Sequence, residues 1–139
     1  MTYSFERRLL QLAILLASIV PLGMGTASIV AGATVIRGVR APVPIDLDSH
    51  FRYLSGLLLG IGIAFLCALP RVERAGIVFR ALGLVIVAGG LARSVSLLQY
   101  GPPGPGHLFG LGMELVVVPL IVIWQARIQR RYRETASAE

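Results

Sequence analysis

Residues 89–119 read GGLARSVSLLQYGPPGPGHLFGLGMELVVVP. Two apolar runs flank YGPPGPGH, a turn whose three prolines and three glycines cannot continue a helix. Each run is interrupted by one charge, Arg93 before the turn and Glu114 after it. The pattern predicts an antiparallel pair of helices. Arg93 lies seven residues before Tyr100 and Glu114 seven after His107. At 1.5 Å per residue both charges should sit about 10 Å from the turn and meet.

Upstream of this stretch two more apolar runs extend from Leu9 to Ile36 and from Leu54 to Leu69. With flanking residues counted, each of the four runs suits a bilayer core, which needs roughly 20 helical residues. The 139-residue chain is 55% apolar with a mean hydropathy of +0.77, well beyond a soluble domain. The expected fold is all-α: a polytopic membrane protein, one domain forming an antiparallel four-transmembrane-helix bundle. The expected spans are about 9–36, 52–69, 77–99 and 107–127, with an outer loop at 37–50. The first run is too long for a secretory signal, whose apolar core is about 7–15 residues, so it is expected to be a retained helix. Pro21, followed by GMG, should kink or break it. Pro119 should bend the fourth span one turn beyond Glu114, because it cannot donate to the carbonyl of Leu115.

All thirteen basic residues are arginine. With the N-terminus inside, nine fall on the cytoplasmic side (Arg7, Arg8, Arg71, Arg74, Arg80, Arg127, Arg130, Arg131, Arg133) and three outside (Arg37, Arg40, Arg52). The positive-inside rule then gives an N-in, C-in topology in the bacterial inner membrane. The same rule explains the net charge of +6 without nucleic acid as a partner. Membrane lipids are the expected surroundings, and RIQRRYRE at 127–134 is suited to anionic headgroups.

In the second span Gly56 and Gly60 form a GxxxG that lets helices approach closely, inside the bundle or across a homodimer. Ser49 is the expected cap of that span, and Cys67 a small packing residue. Ser96, Gln99 and Tyr100 follow Arg93 at three, six and seven positions, and Arg52, Tyr53 and Ser55 lie at the outer end of span two. Together with Glu114 they make a candidate polar pocket opening outward. Asp46, Asp48 and His50 alternate, so an extended strand would point all three one way beside His107; this weakly metal-like spacing stands against ordinary polar loop residues, and no metal is assigned. No nucleophile elbow, HExxH, phosphate loop or Cys/His pairing occurs, and neither a catalytic residue nor a cofactor is expected.

The ordered trio HFRYLSGLLLGIG, FRALGLVIVAGGLARSVSLLQYGPP and MELVVVPLIVIW resembles a family of small bacterial membrane proteins known as a domain of unknown function. The resemblance covers residues 49–126 and implies motif positions at Arg52, Tyr53, Gly56, Arg93, Ser96, Gly101, Pro102 and Glu114. More loosely, the layout is similar to DoxX-like four-helix proteins. Three functions follow as expectations: binding of a lipid-like small molecule at the Arg93/Glu114 pocket, a structural or assembly role with a membrane-protein partner, and proton-coupled transport.

Overall fold

The structure is a computed structural model that describes residues 2–137. No strand occurs among them. The helices are α1 (Tyr3–Ala31), α2 (Ile45–Ala68), α3 (Gly76–Tyr100), α4 (Pro105–Gly112) and α5 (Val118–Ala136). A 3-10 turn, Gly32–Val35, follows α1, another, Leu69–Arg71, follows α2, and a π-helical turn, Met113–Val117, joins α4 to α5. Four stretches are long and apolar enough to cross a membrane: Tyr3–Val35, Ile45–Arg71, Gly76–Tyr100 and Pro105–Ala136. They expose large aliphatic side chains, among them Leu84 at 72% and Leu98 at 85%, as expected where lipid rather than water is the solvent. By packing, the chain divides into two compact units: Leu12–Pro70, and the residues up to Gln11 together with those from Arg71 onward.

In the first of these units the structure departs from several expectations. Helix α1 runs through Pro21 to Ala31 without a break. In an apolar medium the rest of the hydrogen-bonded ladder outweighs the one donor that proline removes. The loop expected at 37–50 is shorter, because α2 starts at Ile45 with Pro44 as its cap. Ser49 is therefore inside the helix. Asp46 and Asp48 fall in the first turn, where carboxylates favour the positive end of the helix dipole. The alternation of Asp46, Asp48 and His50 is thus wound onto a helix rather than an extended strand, and among the described residues no three His, Cys, Asp or Glu side chains gather in a metal-holding group.

The close approach of α1 and α2 does not use the GxxxG. A Cβ built on Gly25 would lie 3.0 Å from the Cβ of Leu59, and one on Gly62 would lie 3.2 Å from Leu22 and 3.3 Å from Pro21. Gly56 and Gly60 have nothing from the described residues of their unit within 4 Å. They sit on another face of α2, since four and six residues place Gly60 and Gly62 on different sides of a 3.6-residue helix. Cys67 is exposed rather than packed.

The second unit is built on an antiparallel hairpin of α3 against the α4–α5 arm. Gly76, Gly83 and Gly90 recur every seven residues and face Gln129, Val122 and Leu115, which recur at the same interval in the opposite direction. Seven residues make almost two helical turns, so the three glycines form one seam. A Cβ on Gly83 would meet Val122 Cγ2 at 2.7 Å, and one on Gly90 would meet Leu115 Cδ2 at 2.7 Å. Gly101 ends α3 at φ +86°, a conformation that favours glycine, and Pro102 follows it. Next to Pro119 the helix makes a π turn: the Val118 amide reaches back five residues to the carbonyl of Met113. Pro119 supplies no amide of its own, so the wider turn lies immediately before it. Glu114 is part of that turn.

Candidate functional site

Arg93 projects from the penultimate full turns of α3 and meets Glu114 side-on. Its Nε donates to Glu114 Oε2 at 3.1 Å and its Nη2 donates to Oε1 at 2.9 Å. Such a two-pronged pair matches the planar guanidinium to the planar carboxylate. Both side chains are partly buried. The π turn widens the helix at the position that presents Glu114, a recurrent feature of functional helices.

His107, in the first turn of α4, adds a third member to the pair rather than joining Asp46, Asp48 and His50. Arg93 Nη1 lies 2.9 Å from His107 Nδ1. A guanidinium has no acceptor, so Nδ1 accepts, and the neutral imidazole carries its proton on Nε2. A short helix start at Pro105, fixed by proline in the first turn, brings the histidine to Arg93. The signal was present in the sequence: a polar residue at the first turn after the Gly/Pro loop, facing the run that holds Arg93.

Beside this trio lies a cleft of about 280 Å³ lined by Arg93, Ser96, Leu97, Pro103 and His107. Of the expected pocket residues, Ser96 is at the cleft, while Glu114 stands behind it on Arg93. Gln99 and Tyr100 are exposed and do not line it, because six and seven residues beyond Arg93 they are at the C-terminal end of α3. Ser94 Oγ donates to the carbonyl of Gly90 at 2.8 Å, whereas Ser96 Oγ has no hydrogen-bond partner among the described residues.

Arg52 is engaged within its own unit. It donates from Nε to Asp48 Oδ2 at 2.7 Å and from Nη1 to the carbonyl oxygens of Ile29 and Val30. Asp48 Oδ1 in turn accepts from the Ala33 amide at 2.8 Å. Gly32 makes room for this clasp: at φ +69° its Cβ would fall on both side chains. The two residues thus satisfy carbonyls and an amide left open at the end of α1. Tyr53 is 62% exposed and tilts against His50, with ring centroids 6.4 Å apart.

A second polar assembly was not anticipated. Glu6 is buried and accepts from Arg131 Nη1, while Arg127 Nε lies 3.2 Å from its other oxygen. Arg7 Nε pairs with Glu73 at 2.8 Å. Gln125, wholly buried, donates to the carbonyl of Val72 at 2.8 Å, and its own Oε1 has no partner among the described residues. Arg74 donates to the Tyr132 hydroxyl, a hydrogen bond that raises the arginine further above its ordinary value. The sequence hint was Glu6, an isolated acid beside Arg7 and Arg8, and Gln125 inside an apolar run.

The family profile described as "Domain of unknown function (DUF4345)" matches residues 9–125. The chain belongs to this family. The DUF4345 match begins well before residue 49, where the motif resemblance starts, and so takes in α1 as well as the three later spans. Within it lie Arg93, Glu114 and His107. No curated protein and no solved structure gives a significant match.

Proposed function

We propose that this DUF4345 protein is an integral membrane protein of the bacterial inner membrane that binds an amphipathic, lipid-like ligand at the Arg93 cleft. The observation that carries the reading is the cleft itself, with Arg93, Ser96 and His107 at its wall and Glu114 behind the arginine. Its volume is at the lower edge of the roughly 300–1,000 Å³ usual for small-molecule sites, so it suits a head group whose tail runs along lipid-facing helix. An N-in, C-in topology accompanies this reading. The Glu6–Arg131 and Arg7–Glu73 pairs gather both ends of the chain and the turn after Arg71 at one end of their unit, and the arginine-rich end belongs in the cytoplasm. The cleft then opens toward the outer leaflet.

The test is native mass spectrometry of protein extracted in native lipid particles, comparing wild type with the Arg93→Leu, Glu114→Leu double variant. Removing both charges leaves neither unpaired. A discrete adduct in wild type that is lost in the double variant supports binding; identical spectra count against it.

A second reading, a structural or assembly subunit, is favoured by the open Gly56 and Gly60 face. Its signature is a protein partner or homodimer retained in the same spectra. Proton-coupled transport has less support, because both Glu114 oxygens already accept hydrogen bonds from Arg93.

A further inference from the structure

Resting on the ligand-binding reading, we infer that the head group received at the cleft is an uncharged hydrogen-bond acceptor, such as an ester or ketone carbonyl, held by His107 and Ser96. Among the described residues Arg93 is the only formal charge lining the cleft, and Glu114 neutralises it through both carboxylate oxygens. An anionic head would approach a pair whose net charge is zero and would have to compete with a built-in carboxylate for the same guanidinium. It would gain little over water and would lose its hydration.

The hydrogen-bonding groups left at the wall are mainly donors. His107 spends Nδ1 on Arg93, which puts its ring proton on Nε2, and no partner for Nε2 occurs among the described residues. The Ser96 hydroxyl has no partner among the described residues either, although Ser94, two positions earlier, is satisfied by its own helix. Of the five guanidinium N–H groups, three are engaged by Glu114 and His107. Of the acceptors, Nδ1 faces Arg93, and both Glu114 oxygens are turned to the guanidinium from outside the lining of the cleft. A wall with spare donors, no net charge and apolar Leu97 and Pro103 beside them matches a carbonyl on an apolar chain.

The experiment uses two photoreactive probes of equal chain length, a fatty acid methyl ester and the corresponding alkyl sulfonate, each bearing a diazirine near the head. Both are incorporated into lipid nanodiscs with wild type, His107→Leu, His107→Gln and Ser96→Ala. Crosslinks are mapped by peptide mass spectrometry, and thermal unfolding verifies that each variant is folded. The expected result is ester labelling of residues 93–107 that exceeds sulfonate labelling. Loss of one donor in His107→Leu should reduce ester labelling about threefold to tenfold. His107→Gln, which keeps an N–H donor, should retain more of it. Preferential labelling by the sulfonate, or ester labelling indifferent to His107→Leu in a folded variant, overturns the assignment of head-group class while leaving ligand binding standing. Labelling of the cleft by neither probe overturns both.

Discussion

Arg131 and Glu6, 125 positions apart in sequence, form an ion pair in which the carboxylate side chain is 7% exposed and the guanidinium 36%. One buried acid therefore holds the first turns of α1 to the last turns of α5, with Arg127 on its other oxygen.

Replacing that acid should unsettle the whole arginine-rich end. Glu6→Gln leaves two guanidinium groups without their shared carboxylate. Because both arginines keep some solvent, the expected cost is about 1–3 kcal/mol, below that of a fully buried pair. Arg127→Gln should cost much less, since Arg127 is 64% exposed. Thermal unfolding in mild detergent compares the two; equal losses would contradict the ranking.

The glycine seam offers a steric test. Gly83→Ala places a methyl 2.7 Å from Val122 Cγ2, and the helices must separate or Val122 must move. Overpacking of this kind costs about 1–3 kcal/mol. Val122→Ala in the same chain should return most of the loss. Gly89→Ala, where nothing lies within 4 Å, should be neutral or stabilise by about 0.5–1 kcal/mol through helix propensity. A destabilised Gly89→Ala with an unaffected Gly83→Ala would refute the seam.

The membrane pair should be non-additive. Arg93→Leu and Glu114→Leu each strand a charge, at a cost of up to about 3 kcal/mol. The double variant should be more stable than the sum of the single effects implies, by at least about 1 kcal/mol. Strict additivity of the unfolding free energies would mean that the two side chains do not interact in the membrane.

At the end of α1 the clasp can be read one amide at a time. Asp48→Ala removes the acceptor of the Ala33 amide and the partner of Arg52. Hydrogen exchange at Ala33 should accelerate about tenfold, the equivalent of roughly 1.4 kcal/mol of lost protection. Unchanged exchange would show that the amide is protected by other means.

How far the sequence reaches differs from residue to residue. The Arg93–Glu114 pairing was legible because both charges are counted from the same proline-rich turn, and helix rise is a local constant. His107 was not assigned to that pair, since its reach to Arg93 depends on where α4 starts. Asp46 and Asp48 interrupt the hydropathy and so suggest loop, although acids favour a helix start. GxxxG drew attention to Gly56 and Gly60, while the sevenfold spacing of Gly76, Gly83 and Gly90 carried the approach.

The number and type of the spanning elements, and the distribution of arginine between their ends, follow from the residues segment by segment, because span length and apolar composition are local properties. Tertiary structure alone decided which glycines touch, that Arg52 caps α1, and that Glu6 receives Arg131. Those outcomes depend on which faces of distant helices meet and in what register, and every lipid-facing helix surface is apolar enough that hydropathy does not distinguish one face from another.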